Sequence, residues 1–306
     1  NGQVVYHDLI EVSDPGFRMR CKSELRIFLQ KKAGAEAEGL EGPESFSDVR
    51  WIVATGGVSV ERTDPGGKRE PVIASAETAI YDSLTGEVIL RGGTPTIKQG
   101  PASLTAGRPD LYLRFYEDGA FFAEEGPWTT IGDLANLRKK PGEKREAPRI
   151  IQITTQRGLH FDSVIGQVVY RGEIEIVEPR FRMSCAGKMT IYLTKKENAE
   201  RDRLEGPEAF SDVKGLVAAG GVRVVRKDPR GKADPVVATA DTAAYEAKSG
   251  DFVLQGGFPT VRQGPNSLRA AERALYLRFY QNGNFYAPRG KWVTDGNITE
   301  LRKGQE

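Results

Sequence analysis

The sequence predicts an all-β protein built from two tandem copies of one antiparallel module, with few or no helices. Short runs alternate apolar and polar residues, which is typical of half-buried strands. Turn residues separate these runs, as they do in sandwiches, barrels and jelly rolls. The same order of runs and turns occurs twice in the chain. Its 306 residues suit two domains of ordinary size.

The two copies are related by one constant offset. LYLRFYEDGAFFA begins at Leu111 and LYLRFYQNGNFYA begins at Leu275, and 275 minus 111 is 164. GQVVY begins at Gly2 and again at Gly166, with the same difference. A solenoid repeats in roughly 20–50 residues, so this much longer period indicates a duplicated domain.

The domain boundaries follow from the span of the repeat. Residues 2–140 align with residues 166–304 without a gap. Between them, Leu137–Arg149 is rich in charge and contains Pro and Gly, which is typical of a linker. We predict a first module at residues 1–140, a linker at 141–150 and a second module at 151–306.

Each module contains several recognisable strands and hairpins. FRMRC, at Phe17–Cys21, places Phe, Met and Cys on one face, and LRIFL, at Leu25–Leu29, alternates in the same way. LYLRFY directs its two leucines and its Phe inward. The turns Asp118–Gly119 and Asn282–Gly283 predict type I′ hairpins, which need positive φ at both central residues.

Composition excludes several classes of function. The formal net charge is +2, so no concentrated basic face is expected and no nucleic acid partner is predicted. No apolar run approaches the ~20 residues of a membrane-spanning helix. No basic segment followed by an apolar one opens the chain, so we expect a signal peptide to be absent or already removed.

The residues of catalysis and metal binding are missing as well. Of the two histidines, His7 is replaced by Arg171 in the second copy and His160 lies outside the aligned span. No Cys/His cluster has metal-ligand spacing and no phosphate-binding loop occurs. We expect no enzyme activity, no cofactor and no metal.

The two cysteines occupy one position of the repeat, since 185 minus 21 is 164. Equivalent points of two modules lie tens of ångströms apart, whereas a disulfide needs Cα atoms within about 7 Å. Cys21 and Cys185 are therefore predicted to be free, inward-facing and buried.

The order of motifs resembles the OstA-like periplasmic domain of LptA-type lipopolysaccharide-transport proteins. That pattern is an A-x-x-A-x-Y strand, then V-x-L-x-G, then a Q-G turn. Here it is carried by Ala76, Ala79, Tyr81, Leu90, Gly92, Gln99 and Gly100, and by Ala240, Ala243, Tyr245, Leu254, Gly256, Gln263 and Gly264. The resemblance covers nearly all of each module. This chain departs from the pattern in its two tandem modules and in a longer charged insertion near 31–44 and 195–208.

The resemblance implies an open, twisted β-jelly roll with an apolar interior. It further implies a periplasmic protein that shields the acyl chains of lipopolysaccharide or a similar lipid on the way to the outer membrane. Its partners would be other OstA-like modules or envelope transport proteins, joined edge to edge.

The candidate groove lining consists of inward-facing apolar residues that keep their character in both copies. These are Phe17, Met19, Ile27, Leu29, Val58, Val60, Leu90, Leu111, Leu113 and Phe115, with Phe181, Met183, Ile191, Leu193, Val222, Val224, Leu254, Leu275, Leu277 and Phe279. Alternation alone favours an ordinary closed core, since inward apolar faces are general in β proteins. A structural or adhesive envelope protein with tandem β spacers and no lipid therefore stays open, and a β-rich carbohydrate enzyme is a more distant alternative.

The start of the chain suggests a mode of association. The second module is preceded by Ile150–Ile165, whereas the first starts directly at its GQVVY segment. We therefore expect the chain to be a processed or trimmed form, whose first module lacks one edge strand. An uncovered edge presents unpaired N–H and C=O groups to another strand. Head-to-tail addition there would give open chains rather than a closed ring.

Overall fold

The computed structural model confirms the all-β fold of antiparallel strands. It describes residues 2–14, 17–33, 39, 42–63, 70–133, 150–179, 181–197, 199, 206–228, 231, 233–280 and 284–296. In these ranges the helical segments are two short 3-10 helices, Gly42–Ser45 and Gly206–Ala209. No helix in the described part of the chain is long and apolar enough to cross a membrane.

The first half of the chain forms twelve strands. They are β1 (Gly2–His7), β2 (Ile10–Asp14), β3 (Phe17–Cys21), β4 (Glu24–Lys31), β5 (Phe46–Arg62), β6 (Val72–Asp82), β7 (Glu87–Arg91), β8 (Thr96–Gln99), β9 (Ala102–Ala106), β10 (Tyr112–Phe115), β11 (Phe121–Ala123) and β12 (Trp128–Asp133).

The second half forms two further strands and then repeats the set. The strands are β13 (Ile150–Thr155), β14 (Leu159–Asp162), β15 (Gln167–Arg171), β16 (Ile174–Glu178), β17 (Phe181–Cys185), β18 (Lys188–Lys195), β19 (Phe210–Arg226), β20 (Val236–Glu246), β21 (Asp251–Gln255), β22 (Thr260–Gln263), β23 (Asn266–Ala270), β24 (Tyr276–Phe279), β25 (Phe285–Tyr286) and β26 (Trp292–Asp295). Strands β15–β26 correspond in order to β1–β12.

The chain divides into two compact units. The first holds Asn1–Gly132 together with His160–Val164 and Glu205–Pro207. The second holds Asp133–Leu159, Ile165–Leu204 and Glu208–Glu306. Residues 134–149, which contain most of the predicted linker, lie outside the described residues, so the linker stays a prediction.

Each unit contains two sheets that share their two longest strands. In the first unit, sheet I pairs β1, β4, β5, β6, β7, β10 and β11 in that order. Sheet II pairs β2, β3, β5, β6, β8, β9 and β12. The second unit repeats both orders with the corresponding strands, and β13 pairs with β16 at the edge of its sheet II.

A glycine pair marks the point where the shared strand β5 passes from sheet I to sheet II. The pairing of β5 with β6 shifts between Thr55 and Val58, and the intervening Gly56 and Gly57 have φ values of 87° and 76°. Only glycine adopts such values readily, so the pair permits the β-bulge that bends the strand. We call this bend the corner of the unit. In the second unit Gly220 and Gly221 hold the same place in β19.

The core of each unit lies beside its corner. In the first unit a row of buried side chains crosses six strands of sheet I, and we call it the closed row: Leu25, Ala54, Ala79, Leu90, Leu113 and Ala123. On the sheet II side of the corner, Val58 and Ala76 are buried as well. Alanines occupy the closed-row positions on the two central strands, β5 and β6. The closed row of the second unit is Met189, Ala218, Ala243, Leu254 and Leu277.

The cysteine prediction is confirmed. Cys21 and Cys185 are free and buried, one in each unit. Burial raises the pKa of both thiols above the usual range, although backbone hydrogen bonds act in the opposite direction. A buried thiol with a raised pKa carries little thiolate at neutral pH, so these residues belong to the packed core rather than to a reactive site.

The predicted type I′ turn at Asp118–Gly119 is wrong. Gly119 has a φ of 80°, but Asp118 is not among the residues with positive φ. The Gly119 N–H donates to the Tyr116 carbonyl at 3.0 Å, and the Tyr116 N–H donates to the Ala120 carbonyl at 2.9 Å. The hairpin loop therefore has three residues, a form that needs one left-handed glycine at its end. The corresponding turn at 282–283 lies outside the described residues.

Candidate functional site

A second apolar row crosses sheet I of the first unit, two residues along each strand from the closed row. We call it the open row: Val4, Ile27, Ile52, Tyr81, Val88, Phe115 and Phe121, in pairing order. Side chains two residues apart on a strand share a face, so the open row lies on the same face as the core. Every member is apolar or aromatic, yet none is fully buried, and Val4 and Tyr81 are 39% and 38% exposed.

The second unit carries an open row at the same positions. It consists of Val168, Ile191, Leu216, Tyr245, Phe252, Phe279 and Phe285. All seven are again apolar or aromatic and again none is fully buried. The aromatic members at the β10–β11 and β24–β25 hairpins touch, with ring centroids 6.1 Å apart for Phe115 and Phe121 and 5.9 Å apart for Phe279 and Phe285.

The opposite face of the same strands has a different composition. The nearest row on the outer face of the first unit places Arg26 and Arg114 among its aliphatic residues. In the second unit that row contains Thr190 and Arg278. An uninterrupted apolar row that is nevertheless partly exposed is therefore a property of the inner face of sheet I.

Sheet II contributes a matching inner row. In the first unit it runs through Met19, Val60, Ala74, Ile97 and Leu104. In the second it runs through Met183, Val224, Ala238, Val261 and Leu268. Because β5 and β6 belong to both sheets, the apolar faces of sheets I and II meet at the corner. On sheet I the side chains are already half-buried or exposed two residues from the closed row, whereas the sheet II row of the second unit is buried except at Leu268. Each unit therefore has a filled end at the corner and a partly open end away from it.

The structure separates the predicted lining residues by depth. Eleven are buried: Met19, Val58, Leu90, Leu111, Leu113, Met183, Val222, Val224, Leu254, Leu275 and Leu277. Eight are half-buried: Ile27, Leu29, Val60, Phe115, Phe181, Ile191, Leu193 and Phe279. Phe17 is exposed. Their contact with lipid stays a prediction, and the half-buried ones are better placed for it than the buried ones.

Sequence reasoning missed ten of the fourteen residues of the open rows. The missed residues are Val4, Ile52, Tyr81, Val88 and Phe121, with Val168, Leu216, Tyr245, Phe252 and Phe285. A usable signal was the two-residue spacing from the alanines of the A-x-x-A-x-Y motif, which places Tyr81 on the face of Ala79. In β5 the run RWIVA has apolar residues at successive positions, so the sequence does not show which of them face inward, and Ile52 could not be assigned to the inner face.

The open rows present apolar side chains and two phenol hydroxyls. Tyr81 and Tyr245 carry the polar groups of the open rows, each as a hydroxyl on an aromatic ring. No group of three or more His, Cys, Asp or Glu side chains that could hold a metal occurs in the described residues. Each open row forms a continuous apolar strip across seven strands. It has one residue on each strand, and neighbouring residues are one strand spacing apart.

A solved structure can be compared with this geometry. No protein-family profile and no curated protein matches the chain. LptH from Pseudomonas aeruginosa, described as the LptA homologous periplasmic component of the conserved lipopolysaccharide transport device, is similar to part of it. The TM-score is 0.37 and the identity is 16%, over 47% of this chain and 92% of that one.

Proposed function

We propose that this protein binds the acyl chains of a lipid along the open rows and carries that lipid through water. The observation that supports the proposal is the pair of open rows, each apolar at all seven positions and each partly exposed beside a packed core. Soluble proteins rarely keep contiguous apolar surface uncovered unless it binds something. The same surface in both copies favours a shared role over chance.

The energetics of an acyl chain fit a surface of this kind. Burial of one methylene group contributes about 0.8 kcal/mol, so a chain of about a dozen carbons in water costs roughly 10 kcal/mol. A carrier lowers that cost only if its lining is continuous. The open row of sheet I meets this condition because it has no charged position from β1 to β11.

The proposal extends to the place of the protein in the cell. Each unit keeps the order of OstA-like motifs, so we propose two tandem LptA-type modules that act in the periplasm. The cargo would be lipopolysaccharide or a similar lipid bound for the outer membrane. The role is that of a bridge or chaperone without a catalytic step, a cofactor or a metal.

Photo-crosslinking at adjacent residues of one strand tests lipid binding. Leu216 belongs to the open row, whereas Val217 is the next residue of β19 and is 41% exposed on the outer face. With benzoylphenylalanine at position 216 we expect crosslinks to acyl lipid in the native envelope, and with the same group at position 217 we expect none. Mass spectrometry of the adducts is the readout. Equal labelling at both positions, or labelling at neither, would favour an envelope spacer without lipid cargo.

End-to-end association is a further part of the proposal. Among the described residues, β2 pairs only with β3 and β26 pairs only with β23, so each leaves one side for another strand. We expect the sedimentation coefficient to rise with protein concentration as open chains form. A coefficient that stays at the monomer value up to millimolar concentration would contradict edge joining.

A further inference from the structure

The inner face of sheet II ends in an arginine. Along β5, Val58 is buried beside the corner, Val60 is half-buried, and Arg62 is exposed at the end of the strand. The three residues alternate on one face, so Arg62 lies on the inner face at the open end of the unit. Its row neighbours are Phe17 on β3 and Val72 on β6.

The second unit has the same arrangement. Val222, Val224 and Arg226 follow one another on the inner face of β19, and Arg226 is exposed. Arg226 pairs with Phe181 and Val236, which are the counterparts of Phe17 and Val72. An arginine flanked by a phenylalanine and a valine therefore stands at the rim of both units.

Neither guanidinium has an ion pair or a hydrogen bond within the described residues. The next strand of each row supplies Gln99 or Gln263, but each amide donates to a backbone carbonyl, of Glu70 at 3.3 Å and of Asp234 at 3.1 Å.

Arginines on the outer face behave differently. Arg18 and Arg182 are also repeated, on β3 and β17, and each pairs with a glutamate. The Arg18 Nε lies 3.5 Å from Glu11 Oε1, and the Arg182 Nε lies 3.3 Å from Glu175 Oε1. Arg18 and Arg182 thus each have an acidic partner within the unit, whereas Arg62 and Arg226 have none among the described residues.

We propose that Arg62 and Arg226 bind the anionic headgroup of the lipid, a phosphate in chemical terms, while the acyl chain lies on the apolar inner face. This inference rests on the proposed lipid-carrying function and adds the class of headgroup. A guanidinium matches a phosphate with two parallel N–H donors. Its place at the rim leaves the headgroup in water, where it needs no desolvation.

The test compares ligands that share one tail. Displacement of the dye N-phenylnaphthylamine is measured with dodecyl phosphate, with dodecyl maltoside and with inorganic phosphate, all below micelle-forming concentrations. We expect the wild type to bind dodecyl phosphate about threefold to tenfold more tightly than dodecyl maltoside. A ratio of this size is what an exposed, charge-assisted hydrogen bond usually contributes to affinity. Inorganic phosphate lacks the tail and should not displace the dye. Added salt should reduce the preference.

The variant R62Q/R226Q should lose the preference for dodecyl phosphate and keep its affinity for dodecyl maltoside. The control R18Q/R182Q makes the same change of net charge on the outer face and should keep the preference, and far-UV spectra verify that both variants are folded. Binding of both ligands without a preference, or a preference that survives in R62Q/R226Q, overturns the headgroup assignment alone. Failure of the wild type to bind either dodecyl ligand overturns the lipid-carrying function itself.

Discussion

Replacing Phe115 and Phe279 by alanine should weaken acyl binding about tenfold, whereas replacing Leu113 and Leu277 should mainly unfold the protein. The leucines belong to the closed rows and are 0% exposed, so each change to alanine should cost about 3 kcal/mol of unfolding free energy. The phenylalanines lie two residues further along the same strands and are half-buried. Each should cost less, about 1–2 kcal/mol, because part of the ring already faces water.

The measurement pairs urea denaturation with dodecyl maltoside binding for each double variant. Tyr112 and Tyr276 provide a matched control, since both are half-buried aromatic residues on the outer face of the same strands. Each contacts an aromatic neighbour, with ring centroids 6.2 Å apart for Tyr112 and Phe122 and 6.4 Å apart for Tyr276 and Tyr286. Y112A/Y276A should lose stability comparable to F115A/F279A without losing affinity. If F115A/F279A retained full affinity, the open rows would not be the binding surface.

The contrast between Leu113 and Phe115 also shows what alternation in a sequence can and cannot predict. The pattern LYLRFY assigns both residues to the inner face, and the structure agrees. It does not distinguish their depth, because depth depends on how far the two sheets have separated at that point of the strand. Leu113 lies in the closed row beside the corner and Phe115 lies one row further away, and the corner itself is formed by residues of β5 and β6.

The path of β5 is a second feature that local patterns do not predict. Its 17 residues read as one strand from Phe46 to Arg62 with a glycine pair in the middle. The glycines predict a bend or a turn, and a turn would have ended the strand. Pairing with β6 continues on both sides of the bend, so the strand serves two sheets instead of ending. That outcome depends on the tertiary pairing of β6 with both β7 and β8.

The repeat, by contrast, predicted more than any single motif. A residue that keeps its character in both copies was selected twice by the same structural environment. The offset of 164 residues carries β1–β12 onto β15–β26, and it carries the open row of one unit onto that of the other. The repeat shows that Arg62 and Arg226 are equivalent positions, but only the structure shows that both lie on the inner face.

Substitution of Gly220 by alanine should destabilise the second unit far more than substitution of its neighbour Gly221. Both have positive φ, 97° and 75°, which costs a non-glycine residue roughly 1 kcal/mol or more. A Cβ on Gly220 would lie 2.5 Å from the Gly187 N and 2.8 Å from the Gly187 Cα, and neither backbone atom can move aside without shifting the turn between β17 and β18. A Cβ on Gly221 would meet no atom within 4 Å. We expect a loss of about 3 kcal/mol for G220A and about 1 kcal/mol for G221A.

Urea denaturation followed by tryptophan fluorescence measures this difference, because Trp292 is the tryptophan of the second unit and Trp51 and Trp128 belong to the first. In a W51F/W292F background Trp128 is the remaining tryptophan and reports the unfolding of the first unit. Adding G220A to that background should leave the Trp128 transition unchanged, which makes it the internal control. The transition reported by Trp292 should move to lower urea in G220A. In folded G220A, dodecyl maltoside binding should also weaken, since the corner sets the spacing between the two inner faces on which an acyl chain would lie. Equal losses of stability in G220A and G221A would mean that the close approach of β19 to Gly187 does not hold the corner.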